Sequence, residues 1–211
     1  MFIPTIYIEN IKPENKSIEV SSNKLHHLKN VLRIRDEDKI NISNGKGLVF
    51  YGNFVNNCVK INNSRMYERQ NSLRIFVPYL REKNRFRFLI EKLTELNVNE
   101  VHIGMTENTQ NTNYNKSKIL DWAISALEQS GSAYLPSLFF PESLNFSVFS
   151  TCLDISGEKL DKIGQKLNSF AIGPEGGWTE DELSKFQSKV NISEFSLRTE
   201  TAAITAVSLA L

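Results

Sequence analysis

The chain has 211 residues, of which 40% are hydrophobic and 23% charged, and its net charge is +1. These fractions are ordinary for a globular protein, and the small net charge argues against a protein that holds nucleic acid by bulk electrostatics. No stretch reaches the ~18 apolar residues of a membrane span, and the start lacks the basic region and cleavage site of a signal peptide. Because the two cysteines, Cys58 and Cys152, are far apart, neither a disulfide framework nor a zinc site is expected. We therefore expect a reduced, cytoplasmic protein that binds no metal and no membrane.

The charge is distributed unevenly along the chain. Residues 1–70 carry 11 Lys and Arg against 7 Asp and Glu, whereas residues 71–211 carry 14 against 17. A basic N-terminal part suits a binding module attached to a catalytic one. Chance is the alternative, since the excess is small.

The N-terminal part is predicted to form a small β-barrel with one helix. Its β-favouring runs are Ile3–Ile8, Lys39–Ile42, Leu48–Phe54 and Asn57–Ile61. Asn44-Gly45 is a turn signal between the second and third runs, and the spacing of apolar residues predicts a helix over Lys24–Leu32. The polar segment Asn62–Ser72 shows no periodicity, so we place the domain boundary there, with domains at 1–70 and 71–211.

Beyond this boundary, predicted strands alternate with predicted helices. The strands are Leu73–Leu80, Val101–Met105, Phe149–Ile155, Phe170–Ile172 and Phe195–Leu197. The helices are Phe86–Leu96, Ile119–Leu127, one opened by the capping box Thr179–Glu182, and Ala202–Leu211. This alternation implies an α/β domain with a mostly parallel sheet covered on both faces. In such sheets, ligands bind beyond the carboxyl ends of the strands.

Two segments between a strand and a helix carry the candidate site. The glycine loop, Gly173–Gly177, follows an apolar strand; its glycines let the backbone approach a ligand closely and its proline stiffens the turn. The arginine–glutamate segment, Leu197–Thr201, places Arg198 and Glu200 at the start of a helix that is apolar almost all round. A tight turn without a ligand is the alternative for the first segment. A helix cap beside a solvated arginine is the alternative for the second.

Three other places could contact a substrate. Lys92 lies on a helix with Glu95, where a surface pair at i, i+3 is the alternative. Gln129 lies near the end of the next helix, where it either has a structural role or lines a substrate groove. His27 and Arg33 offer donors for phosphates, while adjacent histidines on a helix point in different directions and do not suggest a metal site.

The order of these motifs resembles the bacterial 16S ribosomal RNA uridine-N3 methyltransferases of the SPOUT superfamily. The matching motifs are Val31-Leu32-Arg33, Glu91-Lys92, Thr94-Glu95-Leu96, Glu128-Gln129-Ser130, Ile172–Gly177 and Leu197–Ala202. The resemblance implies a PUA-like β-barrel domain that helps to bind RNA, followed by a trefoil-knotted α/β methyltransferase domain. It also implies a homodimer that uses S-adenosylmethionine to methylate one uridine in the decoding region of 16S rRNA in the small ribosomal subunit.

The resemblance also assigns roles to individual residues. The expected cofactor contacts are Leu153, Ile172, Gly173, Pro174, Glu175, Gly176, Gly177, Leu197, Arg198, Thr199, Glu200 and Thr201. Arg198 would stabilise the negative charge that uracil acquires on losing its N3 proton, and Glu200 would be a general base or would orient Arg198. RNA contacts are expected at His27, Arg33, Lys92 and Gln129.

The chain departs from the family pattern after its second predicted α/β-domain strand. The family commonly has Ser-Glu-Arg there, and this chain has Thr106-Glu107-Asn108. A ribose 2′-O-methyltransferase of the same superfamily and an inactive, RNA-binding ribosome-assembly factor remain as alternatives.

Overall fold

The computed structural model describes residues 3–69, 71–110, 114–160 and 167–211. The chain divides into two compact units. The N-terminal unit comprises Met1–Gln70 together with Ile124–Leu135, and the C-terminal unit comprises Asn71–Ala123 together with Pro136–Leu211. The segment Ile124–Leu135 is one that the sequence-based boundary assigned to the second domain.

The N-terminal unit contains a five-stranded sheet in the order β1-β3-β4-β5-β2. Its strands are β1 (Thr5–Tyr7), β2 (Ser17–Glu19), β3 (Lys39–Ser43), β4 (Leu48–Val55) and β5 (Cys58–Met66). Strands β1 and β3 are parallel, and the other pairs are antiparallel. Alternate residues of β3 and β4, such as Ile40, Ile42, Phe50 and Phe54, form a buried core with Leu28.

Two sequence predictions for this unit need correction. The predicted helix Lys24–Leu32 is a short helix α1 (Ser22–His26) followed by a π-helical turn, His27–Val31, in which the Leu32 N–H donates to the His27 carbonyl at 3.1 Å. The predicted linker is also partly strand, because β5 continues to Met66 and pairs with β4 beyond a register shift between Tyr51 and Gly52. Backbone hydrogen bonds hold this extension, and they need no apolar side chains.

Polar contacts explain why Ile124–Leu135 belongs to the N-terminal unit. The Glu128 carboxylate accepts the Tyr7 N–H at 2.7 Å and pairs with Lys24. The Tyr134 hydroxyl donates to the Tyr67 carbonyl at 2.6 Å. These bonds join residues far apart in sequence, so periodicity could not reveal them.

The C-terminal unit contains a six-stranded sheet whose neighbouring strands are all parallel, in the order β11-β9-β10-β6-β7-β8. The strands are β6 (Arg74–Pro78), β7 (Glu100–Gly104), β8 (Ser137–Phe139), β9 (Thr151–Lys159), β10 (Ser169–Ala171) and β11 (Ser188–Asn191). The helices that follow α1 are α2 (Lys83–Glu95), α3 (Lys116–Ser130), α4 (Glu180–Lys185) and α5 (Thr199–Ala210). Residues Ile75, Phe76 and Val77 of β6 are all buried, as expected for a central strand covered on both faces. The predicted α/β class is confirmed.

The last predicted strand, Phe195–Leu197, is wrong. These residues lie in an irregular segment, and the Phe195 side chain is 79% exposed. The strand in this region is β11, which pairs with β9 at the edge of the sheet. The prediction came from two apolar residues, Phe195 and Leu197, that precede a buried helix. The edge of the sheet is instead occupied by β11, which ends at Asn191, before this segment.

The strand order reverses next to β6. The chain adds β7 and β8 on one side of β6, and later adds β10 and β9 on its other side. The register between β9 and β11 shifts from Cys152–Lys189 to Glu158–Val190, so residues 153–157 form a detour in β9. A reversal of strand order is where open α/β sheets bind ligands.

No helix in the described ranges is long and apolar enough to span a membrane.

Candidate active site

A cavity of about 260 Å³ opens beyond the carboxyl end of β10, the strand next to β6, and extends towards β9 and β11. Its walls come from the detour in β9, the end of β10, the glycine loop, β11 and the segment that leads into α5. The residues predicted to contact a cofactor that do line the cavity are Leu153, Ile172, Gly173, Pro174, Gly177, Leu197 and Thr199. Apolar side chains next to exposed backbone suit a flat ring with polar edges.

The glycine loop takes its shape from hydrogen bonds on both sides. At its start, the Ile172 N–H donates to the Phe76 carbonyl of β6 at 3.0 Å. Within it, the Gly177 N–H donates to the Pro174 carbonyl at 2.9 Å, and Gly177 has a φ of +75°, a conformation that favours glycine. After it, the Trp178 indole N–H donates to the Leu153 carbonyl at 3.0 Å. The loop is therefore anchored to both neighbouring strands, β6 and β9.

The arginine–glutamate segment is joined to the glycine loop. The Thr199 hydroxyl, in the first turn of α5, donates to the Gly173 carbonyl at 3.1 Å. Arg198 is the residue before α5, and its side chain is exposed. No ion pair to Arg198 occurs within the described part of the chain. The Arg198 guanidinium is therefore available to a substrate.

Sequence reasoning missed Arg85, which contacts both segments. On α2, Arg85 donates from Nε to Glu200 Oε1 at 2.9 Å and from Nη2 to Glu200 Oε2 at 2.6 Å. Its Nη1 pairs with Glu175 of the glycine loop. One signal was present: Arg85 precedes Phe86, the first buried residue of α2, so helical spacing puts it at the margin of the buried face.

This pairing decides what Glu200 can do chemically. Hydrogen bonds from Arg85 lower the pKa of Glu200 below its usual range, despite the opposing effect of burial. Glu200 is therefore ionised at neutral pH, with both oxygens engaged. Because a carboxylate with a low pKa is a weak base, the geometry favours an orienting role over that of general base. The hydrogen-bonded partner of Glu200 is Arg85, and the positive charge of Arg198 lowers the pKa of Glu200 further.

The loop after β7 forms hydrogen bonds to the glycine loop. The Asn108 side-chain amide donates to the Gly177 carbonyl at 2.9 Å. The buried Glu182 carboxylate accepts the Glu107 N–H at 3.0 Å and the Thr179 N–H at 3.0 Å, which confirms the predicted capping box of α4. Asn108, at the position where the family pattern has arginine, thus contacts the glycine loop.

The residues predicted to contact RNA are distributed over both units. His27 and Arg33 are exposed in the N-terminal unit, and Gln129 is exposed near the end of α3. In the C-terminal unit, the Lys92 ammonium contacts both oxygens of Glu95 at 2.7 Å, so the surface pair is present there. Among the residues that the structure describes, no group of three His, Cys, Asp or Glu side chains could hold a metal ion.

Comparison with known proteins identifies the family. A family model for an RNA methyltransferase domain matches residues 68–211, and a model for an RNA methyltransferase PUA domain matches residues 21–51. The chain belongs to this RNA methyltransferase family. Its N-terminal unit contains the PUA-like domain, and the part of the chain with the parallel sheet is the methyltransferase domain.

Individual relatives of the family cover almost the whole chain. The ribosomal RNA small subunit methyltransferase E of Rickettsia conorii is 26% identical over 227 aligned positions, covering 96% of this chain and 92% of the relative. A predicted RNA methyltransferase of Thermotoga maritima, known from a crystal structure, is 26% identical, with a TM-score of 0.77 and coverage of 98% of this chain and 96% of that one. The Neisseria gonorrhoeae ribosomal RNA small subunit methyltransferase E, crystallised with S-adenosylmethionine, is 23% identical, with a TM-score of 0.85 and coverage of 99% and 96%.

Proposed function

We propose that this chain transfers the methyl group of S-adenosylmethionine to N3 of a uridine in the decoding region of 16S rRNA. The observation that carries the proposal is the cavity between the glycine loop and the arginine–glutamate segment, beyond the carboxyl end of β10. Two of the relatives described above are named as methyltransferases of small-subunit ribosomal RNA. The Neisseria gonorrhoeae relative binds S-adenosylmethionine.

The residues around the cavity suit this cofactor. Leu153, Ile172 and Leu197 provide apolar walls for an adenine ring, while the backbone of the glycine loop provides polar groups for its edge. The carboxylate-bearing Asp154 also lines the cavity, which favours a ligand with positive charge. When bound, S-adenosylmethionine supplies an electrophilic methyl group on a positively charged sulfur.

The chain's own contribution to the reaction is electrostatic and positional. Uracil N3 gives up its proton to solvent as it is methylated, and the negative charge that develops spreads to the flanking carbonyl oxygens. Arg198 directly precedes Thr199, a residue of the cavity wall, and its free guanidinium can donate hydrogen bonds to such an oxygen. We assign Arg198 the role of stabilising this charge, and Glu200 the role of holding the segment in place through Arg85.

The proposal also covers RNA binding, the knot, the oligomeric state and the location of the protein. The PUA-like domain, residues 1–70, and the methyltransferase domain, residues 71–211, would meet rRNA through His27, Arg33, Gln129 and Lys92. The exposure of the first three supports this assignment. The trefoil knot, the homodimer and the cytoplasmic location are carried over from the family resemblance.

The decisive test is methylation of small ribosomal subunits from a strain that lacks this protein. The purified chain is incubated with these subunits and isotopically labelled S-adenosylmethionine, and the digested rRNA is analysed by mass spectrometry. We expect labelled 3-methyluridine. Labelled 2′-O-methyluridine would show a ribose methyltransferase, and cofactor binding without any labelled nucleoside would show an inactive assembly factor. A heat-denatured sample of the same protein is the control.

A further inference from the structure

We propose that Arg85 is a positioning residue that locks the glycine loop to the start of α5 and so shapes the cofactor cavity. This inference rests on the proposed function, because it takes the cavity to be the S-adenosylmethionine site. Arg85 itself lies outside the cavity wall, as do its two partners, Glu175 and Glu200. Arg85 therefore acts through the glycine loop and the arginine–glutamate segment, and not by touching the cofactor.

The ion pairs of Arg85 reach the glycine loop and the arginine–glutamate segment next to residues that line the cavity. Glu175 follows Pro174, and Glu200 follows Thr199; Pro174 and Thr199 are both part of the cavity wall. A shift of either glutamate would therefore move its neighbour in the wall. Because Arg85 donates to both oxygens of Glu200 and pairs with Glu175, one side chain sets the spacing of the two loops.

Charge explains why an arginine is needed. Glu200 is only 8% exposed, and a buried carboxylate without a partner strongly destabilises its surroundings. Without the guanidinium, Glu175 and Glu200 would also repel each other, since like charges that share a site oppose ionisation. The planar guanidinium presents donors in a fork that serves two carboxylates at once, which the single ammonium of lysine cannot reproduce.

The backbone at Arg85 is held in place by helix α2. It lies in the first turn of α2, where the Glu82 carboxylate caps the helix by accepting the Asn84 and Arg85 N–H groups, each at 2.9 Å. Helix α2 also packs against α5, the helix that carries Glu200. The backbone of the bridging residue is thus held by the scaffold, so its side chain transmits that rigidity to the loops.

The first experiment measures S-adenosylmethionine binding by calorimetry for Arg85→Ala, Arg85→Lys and a control, Arg87→Ala. Arg87 is on the same helix, and its pair with Glu91 at 2.6 Å contacts neither loop. Loss of hydrogen bonds to charged groups predicts an affinity roughly 10- to 100-fold weaker for Arg85→Ala. Arg85→Lys should lie between Arg85→Ala and wild type, and the control should match wild type.

A second pair of readouts separates positioning from general damage. In the ligand-free protein, carbon-13 NMR of the Glu200 carboxyl should report a higher pKa in Arg85→Lys than in wild type. In methyl transfer, Arg85→Lys should raise KM for S-adenosylmethionine while kcat at saturation changes less than about threefold, as expected when only binding geometry is lost.

The outcomes are distinguishable. Wild-type protein that binds no S-adenosylmethionine would overturn the proposed function and this inference with it. Wild-type binding together with unchanged affinity in Arg85→Lys would overturn the inference alone. If circular dichroism shows that Arg85→Ala does not fold, Arg85→Lys and Glu175→Gln decide the matter, since Glu175→Gln weakens one arm of the bridge at an exposed position.

Discussion

Replacing Glu182 by alanine would remove a buried carboxylate that joins two loops beside the cavity. Its side chain is 4% exposed and accepts the N–H groups of Thr179 and Glu107, each at 3.0 Å. The substitution leaves both donors without this partner and removes half of the capping box of α4. Since the loop after β7 also holds the glycine loop through Asn108, the effect should extend to the cavity.

The magnitude follows from these contacts. A hydrogen bond to a charged group contributes about 1.5–3 kcal/mol. Thr179 and Glu107 are partly exposed, so water can satisfy their N–H groups after the substitution, and removing the carboxylate also relieves its burial. We therefore expect the free energy of unfolding to fall by about 2–3 kcal/mol, which lies at or below the lower end of the roughly 3–6 kcal/mol that two such bonds span.

Urea denaturation at pH 7, followed by circular dichroism, measures this change. The matched control is Glu180→Ala, which removes an exposed carboxylate from the same first turn of α4. It should change the stability by less than about 0.5 kcal/mol. Equal effects of the two substitutions would refute the reasoning, because burial and the bond to the loop after β7 would then contribute nothing.

Three further predictions concern the site. Arg198→Ala should lower kcat for methyl transfer to small subunits by about 10²–10³-fold, as loss of a donor to a developing negative charge does; full activity with an unchanged circular dichroism spectrum would contradict the role of Arg198. Gly157→Ala places a Cβ 2.5 Å from the Lys189 carbonyl carbon, so urea denaturation should show a loss of about 1–3 kcal/mol, and no loss would mean that the detour in β9 adjusts freely. Because the pKa of Glu200 is lowered by folding, its contribution to stability is complete above the unfolded pKa of about 4.3 and is lost as the pH falls through the folded value. Wild-type protein should therefore lose stability below about pH 4.3 more steeply than Glu200→Gln, and parallel curves would contradict this.

Regular elements with a strong apolar pattern were predictable from the sequence. β6, α2 and β7 lie close to their predicted positions, since each buries a run or stripe of apolar residues. The apolar pattern did not predict the structure where backbone hydrogen bonds or a position at the sheet edge decide it, as in the extension of β5 to Met66 and at Phe195–Leu197. The short strands β2 and β8 were not predicted, because three-residue strands leave little pattern to detect.

The candidate site shows the same division. The sequence alone determined the two loops, since glycines, proline and a strand-to-helix junction are local features. Arg85 was decided only by tertiary structure, because it lies 90 residues from Glu175 and 115 from Glu200 along the chain. The parallel order of the strands brings these residues together, and an ion pair between distant elements has no local pattern. The sequence therefore determined the two segments beside the cavity, and the packing of α2 against α5 decided that Arg85 joins them.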